Sequence, residues 1–521
     1  MVVTTGPDTA QAAQFGAEAT TGASVVRGGL WKMLSNALPQ LYALVLSIAA
    51  ARYLGPGGMG RQSFIAFVEI SVIEILTSGF AMALQRYIGE EVGAGRGGRA
   101  RWLARTFFRI LIVAAAVGGA VLVALGLNGS QPKAAWILAG GAVAAGVLAS
   151  VPGAILTGLQ RWREASVAGL VAGGFGTVAT LAVLALGGRI SAMFAVEAAS
   201  MLITLVWTGV LARRALPGVS ATVTPAPELR TRALRFAAYS SAGGLLYLIV
   251  WRRSEFFFLN HYSTDSEIAF YSIAFAVVSS LVRLPSAMGQ VLAPAVATLF
   301  GAGAHDRIRR GFSRGLRLLL VVTMPIMAAS AALGPATLRI IWGEAFASTR
   351  EPFLIMVAAS IVTPITVLAS SLLAGLGRVK LPLLANAVAG IVDIGLAFAL
   401  VPGHGAVGAA IANAGAQAAA GLPLIVYSAR LAGPIRWEPG ALIRCAVFSA
   451  LGGAAAWAVV TALGGIAGVI LGLLAGSAVF FAAGAIVGFL PPEDAAWLSE
   501  LIGSRTGERG RRAVLALAVR R

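Results

Sequence analysis

The chain has 521 residues, of which 58% are hydrophobic and only 12% are charged, with a net charge of +19. A water-soluble globular domain carries about 25% charged residues, so this composition excludes that class and predicts a membrane protein. The single cysteine, Cys445, excludes an intrachain disulfide and a multi-cysteine metal site.

The chain begins with an Ala/Gly/Thr-rich stretch, residues 1–27, which predicts a disordered cytoplasmic tail. Fourteen apolar segments follow, and the first is too long for the core of a cleaved signal peptide. Their approximate limits are 29–53, 60–86, 103–127, 134–159, 164–187, 190–212, 234–261, 265–298, 315–341, 352–376, 380–401, 405–430, 438–462 and 465–489. We therefore predict an all-α, polytopic inner-membrane protein with about 14 transmembrane helices.

The loops between these segments alternate in charge. One set is rich in arginine and the other is short and nearly neutral. The first set includes residues 96–105, 161–163, 213–232, 307–314, 378–380, 430–436 and the C-terminal arginines. Because cytoplasmic loops collect Lys and Arg, we place this set and both termini in the cytoplasm of a bacterial cell. The net positive charge is then mostly a consequence of topology, and no nucleic-acid partner is expected.

An internal repeat relates the two halves of the chain. Residues 65–67 and 273–275 both read IAF, at an offset of 208, and residues 171–173 and 388–390 both read VAG, at an offset of 217. Spans 1–6 and 7–12 are therefore expected to form two parallel six-helix lobes, with spans 13 and 14 added. The expected regions are 28–213 (first lobe), 214–232 (cytoplasmic linker), 233–431 (second lobe), 432–489 (spans 13 and 14) and 490–521 (cytoplasmic basic tail).

The seventh apolar segment carries three charges, Arg252, Arg253 and Glu255. A charge within a span costs about 2.5 to 3.5 kcal/mol and marks a functional site by default. In a continuous helix Arg252 and Glu255 share a face, where they can pair, while Arg253 points elsewhere. The equivalent positions of the first repeat, 44–47, are uncharged, which favours function over scaffold. Snorkelling of all three residues to the membrane surface is the alternative.

Further charges lie within other apolar segments, namely Glu69, Glu74, Glu197, Arg283 and Asp393. We expect intramembrane charges to face a watered central cavity and to contact substrate there, although each could instead form a structural pair between helices.

Helix-breaking residues in the first helix of each repeat, Pro39 and the pair Gly243–Gly244, are candidate hinges for gating. A fixed kink, or close helix packing, is the alternative for each of them.

No enzyme constellation is present. There is no phosphate-binding loop, no HExxH and no clustered pair of aspartates, so we predict no catalytic residue, no metal site and no cofactor.

Several stretches resemble the Wzx-like oligosaccharide and polysaccharide flippases of the multidrug/oligosaccharidyl-lipid/polysaccharide exporter superfamily. They are ARYLGPGGMGRQSFIAF, RRSEFFFL followed by IAFYSIAF, WGEAF, and VPGHGAVGAAIA. The resemblance implies V-shaped lobes and movement of an undecaprenyl-pyrophosphate-linked glycan to the outer leaflet by alternating access. It also implies a charged span 7, at the position of Arg252, Arg253 and Glu255.

Two other functions remain possible alternatives, a lipid II-type flippase and a cation-coupled drug antiporter. The antiporter would need a carboxylate-rich cavity, which Glu69, Glu74 and Asp393 would supply if they line it. A membrane glycosyltransferase or polymerase would normally show a large outer loop, and every outer loop here is short. Expected partners are the lipid-linked glycan, membrane lipids, H⁺ or Na⁺ as coupling ion, and a polymerase or glycosyltransferases.

Overall fold

The described part of the chain is helical. A computed structural model describes residues 22–216, 225–251, 254–290, 296, 299–300, 303–378, 380–432 and 438–518. Side chains are described from residue 38 onward, except at 242–244, 246–251, 284–285, 287–290, 432, 501–510 and 513. Within those ranges the one β contact is an isolated bridge between Leu490 and Ala518. The all-α prediction is therefore confirmed. In a lipid environment every backbone polar group must be satisfied within the protein, and helices achieve this within one segment.

Contacts divide the chain into two compact units, Met1–Leu248 and Ile249–Arg521. The first unit contains α1 Gly22–Gly93, α2 Gly97–Leu127, α3 Lys133–Gly158, α4 Trp162–Ala185, α5 Ile190–Ala215 and most of α6 Pro227–Trp251. Helix α3 is the most buried of its apolar helices and packs against α1, α2 and α5.

The second unit contains the remaining helices. They are α7 Glu255–Tyr262, α8 Asp265–Gln290, α9 His305–Trp342, α10 Arg350–Ala359, α11 Thr363–Gly375, α12 Lys380–Ala432, α13 Pro439–Leu463, α14 Gly465–Val487 and α15 Pro492–Ala516, with a 3₁₀ turn at Glu344–Thr349. Helix α12 packs against α7, α10 and α11, and α9 packs against α13 and α14.

Two of the long helices change direction at a glycine. The backbone is non-helical at Gly55 in α1 (φ 67°) and at Gly405 in α12 (φ 50°), a region that favours glycine because it has no Cβ. Each glycine lies in a short neutral connection of the sequence, GPGG or PGHG. Gly405 divides α12 into a first arm before it and a second arm after it. The backbone N–H of Ala406 donates to Glu267 Oε2 at 2.8 Å, so a carboxylate caps the second arm.

Eleven helical segments within the described residues are long and apolar enough to cross a membrane. Helices α1 and α12 are counted once each, and the 3₁₀ turn, α10 and α11 are counted together as one segment, Glu344–Gly375. The chain is therefore a multi-pass membrane protein, and the count of fourteen spans stays a prediction.

Small residues set the helix contacts. On α14 the buried positions are Gly468, Gly472, Gly476, Phe480 and Gly484, one every four residues. A methyl group added at Gly452 of α13 would come within 2.7 Å of the Gly476 carbonyl oxygen. Such close backbone approach maximises van der Waals contact between helices where lipid offers no hydrophobic drive.

The structure differs from the sequence expectation at three places. The segment expected as span 7 is divided into α6 and α7, with Arg252 and Arg253 outside the described residues. The segment expected as span 10 is divided into α10 and α11, which begins one residue before Pro364. Part of the expected basic tail forms α15, because the polar residues of this segment have buried partners on α9.

The expected N-terminal tail and linker can be followed only in part. Residues 1–21 of the tail and 217–224 of the linker lie outside the described residues. Helix α6, which the repeat assigns to the second lobe, packs on α1: Arg232 Nη2 lies 2.7 Å from Glu90 Oε1, and the Phe236 and Tyr87 rings are 6.0 Å apart.

Candidate functional site

The second unit contains a buried polar network that starts at the beginning of α7. Ser254 precedes this short helix, and Glu255 occupies its first turn. The side chains of Ser254 and Glu255 are buried, with residue exposures of 8% and 1%. A helix N-terminus carries partial positive charge, which stabilises an acidic side chain in the first turn. The first turn of α7 therefore provides a favourable position for Glu255.

The first arm of α12 contributes a second buried acid to this network. Asp393 is 1% exposed, whereas Ile391 and Ile394 on the same helix are exposed. Ser254 donates a hydrogen bond from Oγ to Asp393 Oδ2 at 2.5 Å. Asp393 therefore faces α7 and not the lipid.

The second arm of α12 supplies amide side chains. Asn413 donates from Nδ2 to Glu255 Oε1 at 2.9 Å, and Gln417 donates from Nε2 to Asn413 Oδ1 at 2.7 Å. Thr363, at the start of α11, donates to Gln417 Oε1 at 2.6 Å. Four helical segments therefore meet at this network. One hydrogen bond joins Ser254 to Asp393, and a separate series runs from Glu255 through Asn413 and Gln417 to Thr363. Ser254, Thr363, Asn413 and Gln417 were missed by sequence analysis, although Asn413 and Gln417 show the i, i+4 spacing of one helix face in an apolar run.

The charge of this network is uncompensated within the described residues. Its hydrogen bonds leave Glu255 Oε2 and Asp393 Oδ1 buried without a partner. The two carboxyl groups are close enough to interact electrostatically. Two ionised carboxylates are costly in a buried site, so the pair requires a compensating positive charge. A proton, a bound cation, or Arg252 and Arg253, which lie outside the described residues, could supply it. No group of three or more His, Cys, Asp or Glu side chains suitable for a metal ion occurs in the described chain.

Glu255 is buried, and its expected position against a central cavity stays a prediction. It is inside the second unit, hydrogen-bonded to Asn413, because α12 covers the first turn of α7. Its expected pairing with Arg252 stays a prediction. Asp393 joins the same network, while Arg283 on α8 is exposed and makes none of these hydrogen bonds.

The first unit has a separate acidic pair, Glu69 on α1 and Glu197 on α5. Glu69 is 1% exposed, neither of its carboxylate oxygens has a hydrogen-bond partner, and Glu197 is near enough to interact with it. One helical turn further along, Ile73 and Met201 both approach Gly146 of α3. Glu74 is half-buried on the same helix as Glu69. The intramembrane acids are therefore divided between the units.

The candidate hinges are helical where the structure describes them. Pro39 is exposed inside α1, whose non-helical residue is Gly55. Gly243 and Gly244 lie within the helical backbone of α6. Their role as hinges stays a prediction.

Family models match most of the described chain. The model described as polysaccharide biosynthesis protein matches residues 25–300, and the MatE model matches residues 250–399. No curated protein matches the chain at a significant level of sequence similarity.

Solved structures with a similar fold are transporters. The lipid II flippase MurJ, in an inward closed conformation, gives a TM-score of 0.68 at 12% identity, over 88% of this chain and 98% of MurJ. An inward-facing multidrug resistance MATE family transporter of the MOP superfamily gives 0.63 at 16% identity, over 77% and 96%. A MOP superfamily transporter from Pyrococcus furiosus, described as having a binding pocket of reverse polarity, gives 0.56 at 16% identity, over 78% and 95%.

At these identities the structural likeness establishes the fold, which is the two-lobe fold of MOP superfamily transporters. The family model covers more than half of the residues. The chain therefore belongs to the polysaccharide biosynthesis protein family, within the superfamily of membrane flippases and exporters.

Proposed function

We propose that this protein is a cation-coupled flippase that moves an undecaprenyl-pyrophosphate-linked oligosaccharide across the bacterial cytoplasmic membrane by alternating access. The family match supports a substrate from polysaccharide synthesis. The observation that carries the coupling is the buried Glu255–Asp393 pair, which has one unpartnered oxygen on each carboxyl group.

The pair is the coupling site. Ser254 and Asn413 each donate to one carboxylate oxygen, which leaves the other oxygen of each acid for the coupling cation. A proton fits these bonds directly, because it needs no further ligands. Binding and release of one positive charge changes the net charge at the contact between α7 and the two arms of α12. Such a change shifts the equilibrium between two conformations of these helices.

The experiment is leaflet-resolved translocation of the lipid-linked oligosaccharide in proteoliposomes, with a proton or a sodium gradient imposed separately. Glu255→Gln and Asp393→Asn keep the shape of each side chain and remove its ionisable group. We expect each to abolish the gradient-dependent part of transport, at least about tenfold, with protein insertion unchanged. Glu344→Gln is the matched control, because Glu344 is an exposed acid of the same unit, paired at 3.3 Å with Arg339. Gradient-dependent transport by the double variant of Glu255 and Asp393 would exclude this pair as the coupling site.

Arg252 and Arg253 are the proposed contacts for the pyrophosphate, since planar guanidinium groups match phosphate oxygens. Both lie outside the described residues. Lysine at either position keeps the charge and loses the forked geometry, so transport should fall partially. Glutamine at both should abolish transport in the same assay, and full activity of that variant would remove the head-group role.

A cation-coupled drug antiporter is the second candidate, because Glu69, Glu255 and Asp393 are all buried acids in membrane helices. Uptake of a lipophilic cation such as tetraphenylphosphonium in the same proteoliposomes distinguishes it. A third set of transport measurements, with lipid II as substrate, tests the alternative of a peptidoglycan-precursor flippase. Transport of either compound in preference to the oligosaccharide lipid would replace the proposed substrate.

The proposed location has both termini in the cytoplasm, and membrane-bound glycosyltransferases or a polymerase act as partners in the same pathway. Reporter fusions test the topology. We expect fusions at residues 130, 263 and 404 to report outside and fusions at 97, 222 and 306 to report inside. A reversed pair would contradict the two-copy arrangement of the lobes.

A further inference from the structure

The first unit has a groove between α2 and the start of α6 that the transport proposal does not use. Its volume is about 520 Å³, and it is lined by Trp102, Thr106, Arg109 and Ile110 of α2 and by Arg230, Thr231 and Leu234 of α6. Ligand sites range over about 300–1,000 Å³, so the groove accommodates a phosphate-bearing headgroup with its glycerol.

Two guanidinium groups in this groove have no counter-charge. Arg109 and Arg230 are exposed and form no ion pair with any residue that the structure describes. Nearby arginines form ion pairs: Arg232 pairs with Glu90 at 2.7 Å, and Arg96 pairs with Glu91 at 2.7 Å. Glu90 and Glu91 are thus engaged by other arginines. The groove therefore presents two free cations to an anionic ligand.

The two hydroxyl groups of the groove are already engaged, so the guanidinium groups and the indole N–H of Trp102 are its remaining side-chain donors. Thr106 donates to the Trp102 carbonyl oxygen at 2.8 Å, and Thr231 donates to the Pro227 carbonyl oxygen at 3.1 Å. Each guanidinium has five N–H groups in a planar fork that matches phosphate oxygens. The groove therefore suits an anion with several oxygen atoms, such as a phosphate.

The position of Arg109 along α2 places the groove at the membrane boundary. The residues that follow it, 110–127, are 18 consecutive uncharged and mostly apolar positions. At 1.5 Å per residue they span about 27 Å, close to the roughly 30 Å hydrocarbon core of a bilayer. Phe108, Ile112 and Val113 lie beside Arg109 on the helix and are exposed, so they form an apolar surface against which acyl chains can pack. Arg109 is therefore level with lipid phosphates, and Trp102 lies about 10 Å further from the hydrocarbon core along α2.

We propose that this groove binds the phosphate of an anionic glycerophospholipid, held between Arg109 and Arg230, with its acyl chains along the exposed apolar face of α2. A resident lipid at this position joins the beginning of α6 to α2. The membrane level of the groove favours a lipid over a free anion, because a lipid presents its phosphate at this depth.

The test is native mass spectrometry of the full-length protein titrated with phosphatidylglycerol. We expect one bound lipid whose apparent affinity falls about tenfold in Arg109→Gln/Arg230→Gln and less in the corresponding double lysine variant. Arg307→Gln/Arg310→Gln is the matched control, since it removes two exposed arginines at the arginine-rich end of the other unit. Unchanged phosphatidylglycerol affinity in the Arg109/Arg230 glutamine variant overturns the proposal.

A second measurement does not depend on the arginine variants. Phosphatidylglycerol with brominated acyl chains should quench the fluorescence of a tryptophan placed at Val113, an exposed position of α2 beside Arg109. The signal is read in proteoliposomes as the difference between Val113→Trp and the parent protein. Brominated phosphatidylcholine should quench it less, because its headgroup has no net charge. Equal quenching by both lipids, or loss of the bound lipid in millimolar inorganic phosphate, would contradict a site for an anionic lipid. Preferential binding of a polyprenyl pyrophosphate would reassign the groove to the transported substrate.

Discussion

Asp494 should hold α15 against α9, and its replacement tests this directly. Asp494 is 0% exposed. It accepts hydrogen bonds from Arg317 Nε at 2.7 Å, Arg317 Nη2 at 2.9 Å and Arg314 Nε at 3.0 Å. Arg317 is buried, whereas the Arg314 side chain is 30% exposed and can be rehydrated. Removing one partner of a buried ion pair costs about 3–5 kcal/mol, and the exposure of Arg314 favours the lower end of that range.

The perturbation is Asp494→Asn, which keeps the size of the side chain and removes its charge. A loss of about 3 kcal/mol corresponds to roughly a hundredfold increase in local opening of α15, at 1.4 kcal/mol per factor of ten. Hydrogen exchange of the α15 backbone amides measures this opening. Glu500→Gln is the matched control, because Glu500 is an exposed acid on the same helix. Protection of α15 within about threefold of the parent protein in Asp494→Asn would refute the anchoring role.

Three further outcomes are expected. Gly140→Ala should lower the melting temperature, because a Cβ there lies 2.7 Å from the Gly119 carbonyl oxygen. The adjacent Gly141→Ala should leave the melting temperature unchanged or raise it, because no atom lies within 4 Å. Glu69→Met should raise thermal stability by about 1–3 kcal/mol, since it removes a buried carboxyl group whose oxygens have no hydrogen-bond partner; a lower melting temperature would show that Glu69 has a stabilising partner. Glu267→Gln should weaken the capped turn of α12 by about 1 kcal/mol, because the bond from the Ala406 N–H loses its charge assistance, and an unchanged unfolding midpoint in denaturant would contradict this.

The membrane class and the helical architecture follow from the sequence. Long apolar segments are compatible with a bilayer only if their backbone groups are hydrogen-bonded internally, which leaves helices as the spanning structure. The sequence also predicts the connections at GPGG and PGHG, because glycine readily adopts the positive φ found at Gly55 and Gly405. The limits of α2, α3 and α14 lie close to those of the apolar segments, apart from a longer start of α2.

The sequence also identifies Glu255 and Asp393 as unusual, since each is an acid within an apolar segment. It does not show that these two acids meet, nor that Glu69 belongs to a different unit. Helical periodicity defines the face of a helix on which a side chain lies. It does not define the helix that this face contacts, which depends on packing across more than a hundred residues of chain.

The tertiary structure alone decided the composition of the candidate site. Ser254, Asn413 and Gln417 are uncharged, and polar residues of these types are common in membrane helices without a functional role. They become part of a site because both arms of α12 pack against the first turn of α7. The same holds for α15, whose sequence is polar and basic: its order depends on Asp494 reaching two arginines of α9, a contact between residues 177 and 180 positions apart in the chain. Composition and periodicity act over one or two helical turns, so they determine which segments are helices in the membrane, whereas contacts between distant segments determine which polar groups are buried together.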